Sequence, residues 1–182
     1  NSNPILEYNI PILKNEGDSI FIDAKIIDAG ISDQHTILWD FGNGKVDSLT
    51  TPLLIYDDNG EYSINVIVKD DDGGFFEDQH IIKINNLPPA PTFSLPDSLF
   101  EGQQYEFKVD VNDPGKNDSF TYLWDFGDGK QRKDKTVKYG YSDNGLYKVF
   151  VTVTDDDGGK ATLDGSVVIL NVSPTVKAFI PK

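Results

Sequence analysis

Trp124-Asp125-Phe126-Gly127-Asp128-Gly129 has a near-copy 85 residues upstream, Trp39-Asp40-Phe41-Gly42-Asn43-Gly44. Self-similarity at a fixed period outranks any local signal, because it divides the chain into equivalent folding units. Working outward, the same shift overlays Glu16–Pro89 on Glu101–Pro174 without a gap, with 29 identities in 74 positions. Glu16-Gly17 falls on Glu101-Gly102, Asp28 on Asp113, Gly30 on Gly115, Asp33 on Asp118, and Asp70–Gly74 on Asp155–Gly159. The overlay continues past these limits: Asn1, Asn86 and Asn171 coincide, as do Ile10-Pro11, Leu95-Pro96 and Ile180-Pro181. Domains are therefore expected at 1–85 and 86–170, with 171–182 as the first strand of a third repeat or a linker. The chain reads as a piece of a longer tandem array.

A domain of this size buries only about 60–65% of its unfolded surface, which calls for a small core rich in large side chains. Phe, Tyr and Trp supply them, at 12% of the 182 residues. The chain has no Cys, which excludes disulfide staples, thiolate chemistry and Cys-based metal sites. A net charge of −14 argues against nucleic acid or an anionic membrane as partner of a general basic surface. No apolar run approaches the roughly 20 residues of a membrane span.

Local patterning is β throughout. Ile20–Ile27, Tyr105–Val111, Thr36–Phe41 and Phe120–Phe126 read as strands. Glu61–Asp70 and Leu146–Asp155 alternate most cleanly, with Tyr62, Ile64, Val66 and Val68 on one face and Tyr147, Val149, Val151 and Val153 on its counterpart. Gly42, Gly44, Gly127 and Gly129 suit tight hairpins, as do Gly73-Gly74 and Gly158-Gly159. About seven strands per copy, with regular turn signals, predict two tandem Ig-like β-sandwiches joined by a short Pro-rich linker, Asn85–Pro91. Trp39 and Trp124 are expected in the cores. Asp40 and Asp125 are expected to accept turn N–H groups, and Tyr56 and Tyr141 to lock loop to sheet as tyrosine corners.

These residues resemble the PKD (polycystic kidney disease) domain family, in which a Trp-Asp-Phe-Gly-Asp-Gly hairpin precedes a Gly-x-Tyr-x-Val-x-Val-x-Val-x-Asp strand. Here the second copy runs Trp124–Gly129 and then Gly145–Asp155; the first departs at Asn43, where Asp is usual. The resemblance covers nearly the whole chain. It implies a PKD-type Ig-like sandwich used as a spacer, adhesive or accessory module of cell-surface and secreted proteins, and it does not imply an enzyme.

Acidic clusters are the candidate sites. The end of an Ig-like sandwich that gathers its N-terminus and its B–C and F–G loops would hold Asn86, Asp113, Asn117, Asp118, Asp155 and Asp157 in the second copy. In the first it would hold Asn1, Asp28, Asp33, Asp70 and Asp72. Converging carboxylate and amide oxygens suit Ca²⁺, which takes 6–8 hard oxygen ligands. The same Asp-Asp-Asp-Gly-Gly runs also suit solvated hairpin tips, whose mutual repulsion water screens. The resemblance adds that some bacterial members of the family bind calcium near this place. The second set is the favoured one, because it adjoins the linker.

His35 aligns with Phe120 and His80 with Gly165, so neither belongs to the repeated framework, and no catalytic motif of known mechanics is present. Asn117-Asp118-Ser119 is a sequon that would carry a glycan at Asn117. The segment 171–182 would dock as the start of the next repeat, or self-associate by adding a strand to another molecule. The expected function is a non-catalytic extracellular spacer of a cell-surface or filament-forming protein, possessing calcium-rigidified repeats. The alternative is an accessory module of a secreted hydrolase gripping polysaccharide or collagen, with Phe75, Phe76 and Phe150 as its outward aromatic candidates.

Overall fold

The structure is a computed structural model that describes residues 2–30 and 32–174. Asn1 and residues 175–182 of the third-repeat segment therefore lie outside the described residues. The chain forms two compact units, one within Asn1–Leu87 and Pro114–Asp118, the other within Pro88–Asp113 and Ser119–Lys182.

In the first copy the strands are β1 (Ile5–Glu7), β2 (Leu13–Asn15), β3 (Ile20–Phe21), β4 (Lys25–Ile27), β5 (His35–Asp40), β6 (Val46–Asp47), β7 (Leu53–Leu54), β8 (Gly60–Asp70) and β9 (Phe75–Asn85). A five-stranded sheet runs β2-β9-β8-β5-β6, and the pairs β1-β4 and β3-β7 make the other layer. The second copy has β10 (Ala90–Phe93), β11 (Ser98–Phe100), β12 (Tyr105–Asn112), β13 (Phe120–Asp125), β14 (Gln131–Arg132), β15 (Thr136–Tyr139), β16 (Gly145–Asp155) and β17 (Lys160–Leu170). Its sheets are β11-β17-β16-β13-β14 and β10-β12-β15.

The strand count exceeds the expected seven for a physical reason. The opening strand divides: β1 pairs antiparallel with β4, whereas β2 pairs parallel with β9. Ile10-Pro11 lies at the crossover and Leu95-Pro96 repeats it, where a residue without an N–H cannot continue a ladder. The expected strand Ile20–Ile27 is likewise broken into β3 and β4, while its counterpart β12 is continuous. Phe107 pairs with Val137 in β15, but the first copy has Pro52 at that position. Ile22 N–H still donates to the Pro52 carbonyl (3.1 Å), and the return bond has no donor.

Each core forms where inward residues of the two layers meet. Trp39, Phe41, Tyr56, Ile64, Val66 and Val68 are buried in one; Trp124, Phe126, Tyr141, Val149, Val151 and Val153 in the other. The Trp indoles bury their rings and still donate, Trp39 Nε1 to the Leu49 carbonyl and Trp124 Nε1 to that of Asp134, each at 3.0 Å. The Asp40 and Asp125 carboxylates accept the Gly42 and Gly127 N–H groups at 2.9 Å. Gly42 has φ +72° and a Cβ there would lie 2.7 Å from the Ser63 carbonyl oxygen, so glycine is doubly required at that turn. The tyrosine corners close the fold: Tyr56 and Tyr141 hydroxyls donate to the Phe41 and Phe126 carbonyls at 2.9 and 3.1 Å. The repeated hexapeptide thus builds a core and a hairpin.

Candidate metal centre

The acidic residues of the first copy converge at the end of the sandwich opposite that hairpin. The register sets this: β5 runs from His35, paired with Asp70, to Asp40, paired with Asn65. Asp70 ends β8 and its N–H donates to the Gly74 carbonyl (3.1 Å), closing a tight hairpin into β9. Asp28 follows β4, and the short loop beyond it brings Asp33 back, with Asp33 N–H donating to the Gly30 carbonyl at 3.3 Å.

One carboxylate oxygen from each of Asp28, Asp33 and Asp70 lies within 4.8 Å of the other two. Oxygens bound to one Ca²⁺ at about 2.3–2.6 Å are separated by up to roughly twice that length, so the trio is close enough to share an ion. Asp70 is 92% buried, being 8% exposed. Its Oδ1 accepts the Asp72 and Gly74 N–H groups (3.0 and 2.6 Å), whereas its buried Oδ2 has no hydrogen-bond partner among the described residues. A buried carboxylate oxygen left without a donor is costly, and a cation is the partner that would relieve it.

Electrostatics agree with the geometry. Burial and the neighbouring charges of Asp28, Asp72, Asp71 and Asp70 push the Asp33 carboxyl above its ordinary range. Asp28 goes the other way, down to about 2, chiefly through its hydrogen bond with His35 and then through the Gly30 N–H. His35 Nε2 lies 2.9 Å from Asp28 Oδ2, while Asp28 Oδ1 accepts from Ser2 Oγ (3.0 Å) and Gly30 N (3.2 Å). Oδ1 is thereby saturated by its two donors, while Oδ2 has a second lone pair to offer a cation.

Two glycines make room for the carboxylates. A Cβ on Gly30 would overlap the Asp33 carboxylate, and one on Gly74 would overlap Asp70 Oδ2. This corrects the expectation that Gly74 serves the hairpin through its φ: Gly73 has that conformation (φ +94°), and Gly74 is needed for space.

The other predicted residues divide. Asp72 is exposed and contributes its backbone N–H to Asp70 rather than a carboxylate to the trio. In the second copy, Asp113, Asp155 and Asp157 belong to the second unit, while Asn86, Asn117 and Asp118 fall in the first. In the first copy, by contrast, Asp28, Asp33 and Asp70 all come from one unit. Asp155 repeats the Asp70 turn, accepting Gly159 N–H at 2.7 Å.

Several contributors were missed from sequence. His35 is no isolated exposed histidine, since it sits against Asp28. Asn3 Oδ1 accepts the Phe75 N–H (3.4 Å) beside Gly74. The signal for Gly30 and Gly74 was present, in their repetition as Gly115 and Gly159; His35 has no such signal, because Phe120 replaces it. Also missed was a device repeated at the exit of each copy. The Glu16 carboxylate, 1% exposed, accepts the Leu87 N–H at 2.6 Å, and Glu101 accepts the Val172 N–H at 2.9 Å.

The chain is similar to collagenase ColA of Clostridium perfringens, 25% identical over 118 residues, which are 65% of this chain and 10% of that protein. It is also similar to the pre-pro-metalloprotease PrtV of Vibrio cholerae, 32% identical over 81 residues, 44% of this chain and 8% of that protein. The chain thus spans about a tenth of the length of these relatives. Among solved structures, the PKD1 domain of Vibrio cholerae PrtV is 29% identical and covers 46% of this chain and 98% of its own, with a TM-score of 0.39. The sequence model of the PKD domain matches residues 1–83 and again 86–169. The chain belongs to the PKD domain family, as two copies in tandem.

Proposed function

We propose that this chain is a non-catalytic, extracellular accessory segment of a secreted hydrolase, in which the first PKD copy is rigidified by Ca²⁺ held between Asp28, Asp33 and Asp70. The observation that carries the calcium reading is the buried Asp70 Oδ2, which has no donor among the described residues and lies close to two further carboxylates. The accessory reading draws support from the named relatives, a collagenase and a metalloprotease, within which a match of this length is a minor part. It also draws on how the repeat uses its polar groups. The Trp, Tyr and Asp side chains of the motif are committed to their own backbone, which suits a scaffold.

A spacer role for a cell-surface or filament-forming protein is the second reading, favoured by the clamps of Glu16 and Glu101 on the main-chain exit of each copy. Under either reading Asn117, whose side chain is exposed, is available for a glycan in an extracellular setting.

Thermal melting tests the calcium site. At calcium tenfold above its dissociation constant, one site adds about 1.4 kcal/mol, which raises the Tm of a domain this size by about 5–10 °C. Extracellular sites bind at about 10⁻⁴–10⁻³ M, so about 10 mM calcium is the working concentration. The rise is expected in the wild-type chain, with reversal by EDTA, and should be absent from the first-copy transition in Asp70→Asn. An unchanged wild-type Tm, or an equal rise in Asp70→Asn, would sink the assignment.

A further inference from the structure

The most uneven charge in the molecule lies on the second copy. Lys130-Gln131-Arg132-Lys133-Asp134-Lys135-Thr136-Val137-Lys138 holds five of the chain's 16 Lys and Arg, with one carboxylate, in a protein of net charge −14. All nine residues are exposed except Val137. β14 is the outer strand of the five-stranded sheet and β15 the outer strand of the three-stranded one, so the segment forms one side of the sandwich, where both sheets end.

Cations elsewhere in this acidic chain are scattered singly. Some are paired, as Lys45 is with Asp57 at 3.5 Å and Lys148 with Asp164 at 3.0 Å. Others, such as Lys14, Lys25, Lys69 and Lys83, have no ion pair among the described residues, so what sets this edge apart is the density of its charge. Along this edge Lys130 reaches Asp128 at 3.7 Å, and the neighbouring Lys108 reaches Asp110 at 2.7 Å. Arg132, Lys133, Lys135 and Lys138 have no ion pair among the described residues, although Asp134 lies within the segment and Glu106 opposite Lys138 in register. Arg132 is held in place: its Nη1 donates to the Gln131 carbonyl (2.8 Å), and the guanidinium lies 5.4 Å from the centre of the Tyr139 ring. Its remaining N–H donors keep the fork that matches a carboxylate or sulfate.

The fold does not require this charge. The equivalent edge of the first copy reads Lys45-Val46-Asp47-Ser48-Leu49-Thr50-Thr51-Pro52-Leu53, with one cation. Lysines do guard sheet edges against pairing, but the same edge of the first copy leaves Val46, Leu49 and Leu53 exposed without such a guard.

We propose that the β14–β15 edge of the second copy, through Arg132, Lys133, Lys135 and Lys138, is a binding track for an anionic polysaccharide bearing carboxylates or sulfates. The surface chemistry selects this class. A protein partner would bury an apolar interface centre, and single-stranded nucleic acid would stack on exposed aromatic rings; the segment exposes neither. Duplex DNA concentrates one charge per about 1.7 Å, which the surrounding acidic surface repels. A flexible glycan with sparser charge meets the four cations and little else. The proposal rests on the reading of the chain as a non-catalytic accessory module and is separate from its calcium site.

Affinity electrophoresis of the whole 182-residue chain, run in EDTA so that calcium plays no part, tests it. Polygalacturonate supplies the carboxylate arm, heparin the sulfate arm, and dextran and a 20-base-pair DNA duplex the controls. The wild type should be retarded by at least one anionic glycan and not by dextran. Arg132→Gln/Lys133→Gln/Lys135→Gln/Lys138→Gln should weaken that binding at least tenfold. Lys14→Gln/Lys25→Gln/Lys69→Gln/Lys83→Gln, an equal charge change on the first copy, should bind as the wild type does. No retardation by either glycan, equal loss in both variants, or tighter binding to DNA would each overturn the proposal. So would a β14–β15 variant that aggregates while binding unchanged, which would assign the lysines to edge protection. Failure here leaves the calcium-dependent Tm untouched, so the two readings fall separately.

Discussion

At the residue scale, tyrosine hydroxyls show how the fold fixes its loops. Tyr56 and Tyr141 are pushed well above their ordinary range, chiefly by burial, and each donates to a carbonyl 15 residues upstream. Tyr8 is pushed up to about 12, by burial first and then by its 2.7 Å hydrogen bond to Asp78. The folded state therefore holds the Tyr8 proton more tightly than the unfolded chain. Its contribution is complete below pH 10 and lost as pH rises through about 12. Tyr8→Phe should accordingly flatten the fall of Tm between pH 10 and 12, as followed by circular dichroism. An equally steep fall in the variant would show that Tyr8 is not a source of alkaline lability. Tyr56 and Tyr141 were legible as corners from their place before an Asp/Ser-Asp-Asn-Gly turn. The bond between Tyr8 and Asp78 was not, because it joins residues 70 apart in a segment whose register no local pattern sets.

At the element scale, alternation revealed which strands exist and hid which sheet each one joins. Period two is the same whether a strand pairs on its left or its right. That is why β8 and β16 matched expectation closely, while the first strand's division between two sheets and the break at Pro52 emerged only from the fold. The exit clamp was invisible for a related reason: Glu16-Gly17 repeats as Glu101-Gly102, yet nothing nearby in sequence says what the carboxylate grips. Glu16 is buried and bonds the backbone just beyond β9. Glu16→Ala should cost about 2 kcal/mol in urea unfolding, since the half-buried Leu87 N–H loses a charged acceptor, and Glu16→Gln should restore part of it. A Glu16→Ala variant within about 0.5 kcal/mol of wild type, the range of ordinary surface changes, would show that the clamp does not hold the exit.

At the scale of the whole molecule, repetition conveys the fold and departures from repetition convey the chemistry. The two copies share their cores, corners and acidic turns. They differ where His35 replaces Phe and where the β14–β15 edge is basic rather than apolar. Sequence alone identified the family and named candidate carboxylates in both copies, preferring the second because its set adjoins the linker. We place the proposed calcium site on the first copy, where Asp28, Asp33 and Asp70 come from one unit and the buried Asp70 Oδ2 has no donor among the described residues. The most direct measurement is a calcium titration followed residue by residue in the amide NMR spectrum of the whole chain. The account predicts saturable shifts concentrated at Gly30, Asp33 and Asp70–Gly74, with the Asp40–Gly44 hairpin unmoved. Shifts that fail to saturate, or that leave Gly30 and Gly74 in place while others move, would contradict a calcium centre in the first copy.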